Sequence, residues 1–237
     1  IDKPQLQSVM FAGLDGYSED PTGSLVLFNY QEGYEDNFGS LVPKQDLEKA
    51  GKLLDEAGWT KGADGMRMKD GQTLTVRAPL FGDNTTVKNY ITTLQAQLKA
   101  AGIDMQIQAR PSSEFSVVIK NRDFDILSNG FASTDPYGVA YFCQIYCTDS
   151  GLNKSGTGTK EFDEKIKTQL ETLPTAEEQI KKANELEKEA LGQYGLIPIY
   201  SGPNIVAVKK GLANVGAGLF AQGIADFKEN IGWVEGS

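Results

Sequence analysis

The order strand, helix, strand, helix, strand between residues 74 and 127 most constrains how this 237-residue chain can fold. Apolar residues alternate in 74–78 and 103–109, which predicts two strands, and 85–101 has an apolar face at helical spacing. A short helix starting at Ser112 leads to a third predicted strand, Phe124–Leu127. Because the joints are short, the strands should be linked by right-handed crossovers and lie parallel. The sequence therefore predicts an α/β fold with a largely parallel central sheet flanked by helices.

Further helices and strands are predicted on both sides of this unit. Four helices follow from apolar residues at helical spacing: 4–13, 46–57, 161–170 and 175–193. Two strands form a predicted C-terminal strand segment, at 196–200 and 205–208. Residues 14–43 lack any period and predict a long loop, which in a compact domain is usually functional or lies along another domain. The charge-rich run 181–189 is typical of a solvated helix face.

Composition argues against several classes of function. The sequence has no histidine, which excludes Ser-His-Asp and Cys-His triads and nearly all zinc sites. The net charge is -9 and the basic residues are scattered, so nucleic acids and anionic membranes are poor candidate partners. No apolar run approaches the roughly 20 residues that span a bilayer. We predict no catalytic residue, no metal site and no cofactor.

A polar and aromatic segment follows the third predicted strand. It begins with Ser128 and Asn129, and Thr134-Asp135-Pro136-Tyr137 forms a turn signal with an aromatic residue beside it. Open α/β folds place their ligands just beyond the C-terminal ends of parallel strands. The segment is therefore a candidate ligand site. An ordinary surface connection is the alternative.

Other motifs in this region are weak. The run SGTGTK at 155–160 departs from a phosphate-binding loop, since Gly156 is followed by Thr157 where that loop needs lysine. Asp123 precedes the predicted strand and Asp135 follows it, so we do not expect a carboxylate pair and interpret Asp123 as part of a solvated turn.

The two cysteines, Cys143 and Cys147, are also a weak motif. They fall short of the four ligands of structural zinc. They could form one local disulfide in an oxidising compartment, but the spacing alone does not decide this.

Several stretches together resemble the large solute-binding proteins of bacterial ABC importers, the peptide/nickel or oligopeptide-binding group called family 5. DLEKAGKLLDEAGW at 46–59 is similar to a family helix ending in Ala-Gly-Trp/Tyr, and DGMRMKDGQTLTV at 64–76 to the turns and strand after it. FDILSNGF at 124–131 resembles the strand that runs to Gly-Trp. GLNKSGTGTKEFDEKI at 151–166 and LIPIYSGPNIVAVKKGLANV at 196–215 resemble the family's Asn-containing loop and its Pro-Ile/Leu-Tyr strand.

The resemblance implies a type II periplasmic-binding-protein-like lobe. Family members are longer, so 1–237 is expected to be the single C-terminal lobe of a two-lobe protein, supplying half of a cleft that closes by hinge motion. Residues 1–44 would hold the helix at the lobe entrance and the long loop, 45–200 the α/β core, and 201–237 a segment returning toward the N-terminal lobe. An extracytoplasmic monomer is implied, either a cell-surface lipoprotein or periplasmic, whose signal sequence lies outside this chain and whose partners are the permease subunits.

The resemblance also implies which residues contact the ligand. In the family's peptide binders an aspartate shortly after Gly-Trp pairs with the α-ammonium of the peptide. Counting from Gly130-Phe131 places Thr134 at that aspartate, with Asp135 one residue later. A one-residue slip would restore the role to Asp135, and otherwise the ligand is not expected to be a peptide with a free amine. The expected contacts are Asn129, Phe131, Ser133, Thr134, Asp135, Tyr137 and Asn153.

The function implied is capture of a peptide or other small polar solute for an ABC importer, without catalysis. Because family members work where thiols oxidise, a disulfide between Cys143 and Cys147 is also implied. A hydrolase or transferase on a similar α/β scaffold is the alternative, because a fold does not determine a function. A structural or sensory lobe that binds a protein partner is a third possibility.

Overall fold

The computed structural model describes residues 1–14, 20–132, 135, 137–203, 205–216 and 228–234. The chain divides into two compact units, and each is built from separate stretches of sequence. The first unit comprises Ile1–Pro21, Phe38–Asn129 and Pro198–Tyr200. The second comprises Thr22–Asn37, Gly130–Ile197 and Ser201–Ser237. The expected division of one lobe at residues 44 and 200 stays a prediction.

The first unit is built on a parallel strand–helix–strand motif. Its elements are α1 (Lys3–Phe11), α2 (Leu47–Glu56), β1 (Thr60–Lys61), β2 (Arg67–Lys69), β3 (Gln72–Thr73), β4 (Thr75–Phe81), α3 (Thr85–Ala100), β5 (Asp104–Arg110) and α4 (Phe115–Asn121). Strands β4 and β5 pair in parallel, from Thr75 opposite Asp104 to Phe81 opposite Arg110, and α3 connects them. Strands β1, β2 and β3 form a small antiparallel sheet. The predicted parallel pairing around a helix is confirmed.

Local capping explains why these helices begin and end near the predicted residues. The carboxylate of Asp46 accepts a hydrogen bond from the N–H of Lys49 at 2.8 Å, and the amide oxygen of Asn84 accepts one from Val87 at 3.0 Å. Each bond satisfies an N–H group that the first turn of a helix leaves without a partner. Gly58 follows α2 with φ +86°, a left-handed conformation that glycine adopts without strain.

The core of the first unit lies between α1, α3 and the parallel strands. Leu6 of α1 and Ile91 of α3 are essentially inaccessible to solvent. The buried residues of this core are Leu6, Ala78, Leu80, Tyr90, Ile91, Leu94 and Met105. By contrast, no residue of α2 is buried.

The predicted strand at 124–127 is not a regular strand. Its segment still lies along β4, because the N–H groups of Asp125 and Ile126 both donate to the carbonyl of Arg77, at 2.9 and 3.0 Å. Two N–H groups on one carbonyl interrupt the evenly spaced ladder of a parallel pair. The prediction of a strand at 124–127 is therefore wrong, although the segment lies beside β4.

The two predicted C-terminal strands also differ from the structure. Residues 196–200 and 205–208 are described and neither stretch forms a strand. In the first stretch Pro198 has no N–H to donate to a ladder. The strands described in the C-terminal part of the chain are two residues long each, at Leu212–Ala213 and Gly232–Trp233.

The second unit combines short helices with a long loop. Its elements are α5 (Phe142–Tyr146), α6 (Lys160–Lys165), a π-helical turn (Ile166–Leu170), α7 (Ala176–Leu191), β6 (Leu212–Ala213) and β7 (Gly232–Trp233). Residues 22–37, which we call the anchored loop, contain no helix or strand, as predicted. The buried core residues are Val26, Leu27, Phe142, Ile145, Tyr146, Cys147, Phe162, Ile166, Leu170, Ala183, Leu186 and Ala190.

A carboxylate is buried inside this second core. Glu187 of α7 has no exposed surface. One of its oxygens accepts hydrogen bonds from the hydroxyl of Ser24 and the side-chain amide of Asn37, both at 2.6 Å. The other accepts from the N–H of Leu25 and the hydroxyl of Tyr146, both at 2.8 Å. Glu187 therefore ties both ends of the anchored loop, and α5, to α7.

The interpretation of 181–189 as a wholly solvated helix face is wrong. Glu187 is buried, and so is Asn184, with 4% of its surface exposed. The Asn184 side chain accepts a hydrogen bond from Asn37 at 2.9 Å and donates one to the carbonyl of Gly33 at 2.8 Å. One side of α7 thus binds the anchored loop, and only the remaining sides carry solvated charges.

Burial raises the pKa of Glu187 because the charged form loses its water, and the hydrogen bonds from Ser24, Asn37, Leu25 and Tyr146 offset part of this rise. The unfolded chain has an ordinary glutamate pKa of about 4.3. The folded protein therefore holds this proton more tightly than the unfolded chain does. The resulting contribution to stability is fully present below the unfolded pKa and is lost as pH rises through the folded pKa.

We expect Glu187→Gln to remove this pH dependence. The free energy of unfolding of the wild type minus that of the variant should fall as pH rises from about 4.3 toward the folded pKa. Urea unfolding at a series of pH values measures the difference. Glu185→Gln is the matched control, because the hydrogen bond from Lys182 lowers the pKa of the exposed Glu185 carboxylate. The difference in free energy of unfolding between wild type and this control should therefore not change as pH rises above about 4.3. A flat difference for Glu187→Gln would contradict the buried carboxylate.

Two leucine substitutions test the packing of the first unit. Leu6 has no exposed surface, whereas Leu53 of α2 exposes 55%. We expect Leu6→Ala to lower the free energy of unfolding by about 2 to 5 kcal/mol, because it leaves a cavity. Leu53→Ala should change it by less than about 0.5 kcal/mol. Denaturant unfolding measures the free energy of unfolding of both variants. Equal losses would contradict the assignment of Leu6 to the core and of Leu53 to the surface.

Candidate functional site

The residues predicted to contact a ligand belong to both units. Asn129 is exposed and belongs to the first unit. The second unit contains Phe131, Asp135, Tyr137 and Asn153. Ser133 and Thr134 lie outside the described residues, so the expected role of Thr134 stays a prediction.

The side chain of Asp135 holds the turn that carries Tyr137. One carboxylate oxygen accepts a hydrogen bond from the N–H of Tyr137 and the other from the N–H of Ala140, both at 3.0 Å. The first is the aspartate-to-backbone bond that commonly replaces regular structure in turns. The half-buried carboxylate therefore organises the described residues 135 and 137–140, which we call the Asp135 turn. Its pairing with a ligand ammonium stays a prediction.

The two aromatic residues of the predicted site have different environments. Tyr137 exposes 53% of its surface. Phe131 is half-buried and packs against the core of the second unit. Phe131 therefore attaches the segment to the core, while Tyr137 presents an aromatic surface with a polar end, a combination suited to binding.

Gly138 places the Asp135 turn directly on the anchored loop. Its φ is +77°, which favours glycine, and a Cβ at this position would overlap the carbonyl oxygen of Val26. The backbone of the turn can come this close to the anchored loop only because Gly138 has no side chain. The position of Tyr137 therefore depends on the position of Val26.

Asn153 holds together the loop to which it belongs. The side chain is buried, with 4% exposed. Its nitrogen donates to the carbonyls of Tyr146, Cys147 and Thr157 at 3.3, 3.2 and 2.9 Å, and its oxygen accepts from Ser155 and Gly156 at 2.8 and 3.3 Å. These bonds give Asn153 a structural role, and its expected contact with a ligand stays a prediction that they do not support.

The two cysteines are bonded across α5. Their Sγ atoms lie 2.09 Å apart and their Cα atoms 4.7 Å apart. The N–H of Cys147 also donates to the carbonyl of Cys143 at 2.8 Å. The bridge therefore closes the short helix that follows the Asp135 turn, and the pairing agrees with the one implied by the family resemblance.

In the first unit, the polar segment begins beside a buried tyrosine. Burial raises the pKa of Tyr90 to about 12, with a further rise from Tyr200 and an opposing effect of the hydrogen bond with Ser128. The rings of Tyr90 and Tyr200 meet edge to face at 6.0 Å. At physiological pH the Tyr90 hydroxyl is therefore neutral and acts as a hydrogen-bonding group.

The carboxylates near the start of this segment are held in ion pairs. Arg77 contacts Asp123 at 2.7 Å and Asp125 at 3.0 Å, and Arg110 contacts Asp123 at 2.9 Å. Hydrogen bonds from Arg77 lower the pKa of Asp125. Asp123 is partly solvated, as expected, with 40% of its side chain exposed, and its carboxylate also lies between two guanidinium groups.

The described residues contain neither a group of metal ligands nor a membrane-spanning helix. Within residues 1–14, 20–132, 135, 137–203, 205–216 and 228–234, no three His, Cys, Asp or Glu side chains are grouped as metal ligands. No helix within these ranges is both long and apolar enough to cross a membrane.

Sequence reasoning missed the support beneath the Asp135 turn. Glu187 looked like one more charge in a charged helix. Its spacing was nevertheless informative, since it lies four residues after Ala183 and three before Ala190. Helical periodicity places these three residues on one face, which is the buried one.

The chain is similar to solute-binding proteins along most of its length. The family model described as "Bacterial extracellular solute-binding proteins, family 5 Middle" matches residues 1–153. The oligopeptide-binding protein OppA of Mycobacterium bovis is 30% identical over 214 residues, which are 89% of this chain and 34% of that protein. OppA of Lactococcus lactis subsp. lactis is 28% identical over 166 residues, which are 56% of this chain and 27% of that protein.

Solved structures share the fold. The periplasmic EDTA-binding protein EppA superimposes with a TM-score of 0.72 at 21% identity, covering 84% of this chain and 37% of that one. AppA from Bacillus subtilis, solved in complex with a nonapeptide, gives 0.63 at 18% identity, covering 84% and 39%. These likenesses confirm the type II periplasmic-binding-protein fold class.

The family model covers well over half of the chain, whereas the chain spans about a third of the length of the curated relatives that it matches most extensively. The chain belongs to family 5 of the bacterial extracellular solute-binding proteins.

Proposed function

We propose that the whole protein captures a peptide or another small polar solute outside the cytoplasm and delivers it to an ABC importer. The observation that carries the proposal is family membership, together with 30% identity to an oligopeptide-binding protein over 89% of this chain. The chain would supply half of the binding cleft, and the rest of the whole protein would supply the other half.

The Asp135 turn offers the groups that such a ligand needs. Asp135 brings a negative charge into a turn whose backbone it also fixes. Tyr137, in the same turn, is more than half exposed. A solute with an ammonium group and some apolar surface would be attracted by both residues. We propose that these two residues contact the ligand, and that Thr134 contributes a further polar group.

The setting of the protein is part of the same proposal. The family is described as extracellular, and the bonded pair Cys143–Cys147 suits an oxidising compartment. We assign the protein to the periplasm or, as a lipoprotein, to the cell surface. It would act as a monomer and present the loaded ligand to permease subunits.

The proposed role is binding without catalysis. The sequence has no histidine, so it forms no histidine-dependent triad. Asp123 and Asp125 are paired with arginine side chains, which argues against their use as a general acid and base. A hydrolase or transferase is therefore the weaker candidate.

Ligand capture by the whole protein tests the proposal. The wild-type protein is incubated with a pool of random pentapeptides, washed and denatured, and the released molecules are identified by mass spectrometry together with any solute that co-purified. We expect a defined subset of peptides or one co-purified solute. A folded protein that retains neither would contradict the proposed function.

Three variants then test the contact with Tyr137. Tyr137→Ala should weaken the binding of a retained peptide about tenfold, or about 1.4 kcal/mol, because an exposed aromatic contact is lost. Tyr137→Phe keeps the ring and should bind within about threefold of the wild type. Tyr194, which exposes 62% of its surface, gives the matched control Tyr194→Ala. Calorimetric titration measures each affinity. Equal affinities for wild type and Tyr137→Ala would place the ligand elsewhere.

A further inference from the structure

The carboxylate of Glu187 fixes three consecutive N–H groups of the anchored loop. It accepts the N–H of Leu25 directly, at 2.8 Å. It also accepts the hydroxyl hydrogen of Ser24, and the oxygen of that hydroxyl accepts the N–H groups of Val26 and Leu27, both at 3.0 Å. The Glu187 carboxylate therefore orients the backbone directly at Leu25, and through the Ser24 hydroxyl at Val26 and Leu27.

This stretch of backbone lies under the Asp135 turn. The carbonyl oxygen of Val26 occupies the space where a side chain on Gly138 would be. The Leu27 side chain also borders that space, and both Val26 and Leu27 are buried in the core. Close-packed groups cannot move independently. A shift of the anchored loop at Val26 must therefore displace the turn.

A second connection runs through α5. The hydroxyl of Tyr146 donates to Glu187 at 2.8 Å, and the Tyr146 ring packs on Phe142 with the ring centres 4.9 Å apart. Phe142 begins α5 directly after the turn that Asp135 organises, and the disulfide closes α5 at its other end. Glu187 thus restrains the chain on both sides of Tyr137.

An ionised carboxylate satisfies this arrangement with both of its oxygens. All four groups around Glu187 donate hydrogen bonds, and each oxygen accepts two of them. A glutamine side chain would place its NH₂ against one of the two pairs of donors. In the pair that it faces, the N–H group of Asn37 or of Leu25 would lose its acceptor. A buried donor without an acceptor rearranges or destabilises its surroundings. Replacing Glu187 by glutamine should therefore move the groups that it holds.

From these contacts we infer that Glu187 is a positioning residue for the ligand site, which holds the Asp135 turn in place through the anchored loop and α5. Glu187 is fully buried, so it acts on the ligand through Ser24, Val26 and Gly138 rather than by contact. The inference rests on the proposed function, because that function assigns the Asp135 turn to the ligand.

Hydrogen exchange in the whole protein tests the link without any ligand. The decisive amides are those of Tyr137 and Ala140, whose N–H groups bond to Asp135. In Glu187→Gln we expect both to exchange at least about tenfold faster, because the turn opens more often, while the amides of β4 and β5 are unchanged. Glu185→Gln, an exposed glutamate on the same helix, is the matched control and should leave all these rates unaltered.

A second variant keeps the test valid if Glu187→Gln does not fold. Ser24→Ala leaves α7 intact and removes only the hydroxyl that relays the charge to Val26 and Leu27, and it should accelerate the same two amides. Unaltered exchange at Tyr137 and Ala140 in a folded Glu187→Gln or Ser24→Ala protein would overturn the inference. Acceleration spread evenly over both units would also overturn it, since that result indicates a merely structural role.

Peptide binding separates this inference from the proposed function. For a pentapeptide retained by the wild type, both variants should bind about tenfold more weakly, whereas Glu185→Gln should bind equally well. Faster exchange at the turn with unchanged peptide affinity would overturn the positioning role. Faster exchange combined with a wild type that retains neither pentapeptides nor a co-purified solute would support the link from Glu187 to the turn and contradict the proposed function.

Discussion

One buried negative charge, the carboxylate of Glu187, is the interaction on which the second unit depends. A carboxylate taken out of water is strongly destabilising unless its oxygens are fully hydrogen-bonded. Here the four donors come from three places in the sequence: the start of the anchored loop, its end at Asn37, and Tyr146 of α5. Satisfying the charge therefore requires all three to be in position at once. A loop without a helix or strand of its own gains a defined path in this way.

That defined path fixes the backbone of the irregular segment to which we assign the ligand. The described residues of the Asp135 turn lead into one short 3₁₀ turn, Val139–Tyr141. The Asp135 carboxylate holds the backbone of the Asp135 turn, which packs against Val26. A binding residue loses less freedom on meeting a ligand when its backbone is already fixed. Tyr137 is exposed on such a fixed backbone. One relative of this chain is named an oligopeptide-binding protein.

The sequence predicted local features well because they depend on neighbouring residues. Asp46 caps α2 and the parallel pair around α3 follows from periodicity and short joints. Prediction from the sequence failed where contacts between residues far apart in the sequence determine the structure. Segment 124–127 is irregular where the carbonyl of Arg77 accepts two consecutive N–H groups. Glu187 is buried partly because Ser24 and Leu25, which lie 163 and 162 residues away in sequence, donate to its carboxylate.

A crystal structure of the whole protein with its captured solute tests most directly the claim that the ligand binds against the Asp135 turn. We predict ligand atoms within about 4 Å of the Tyr137 ring, the distance of van der Waals contact. We also predict a positively charged ligand group paired with the carboxylate of Asp135, while Glu187 keeps its four hydrogen bonds. Ligand density elsewhere, with Tyr137 still in solvent, would contradict this binding mode.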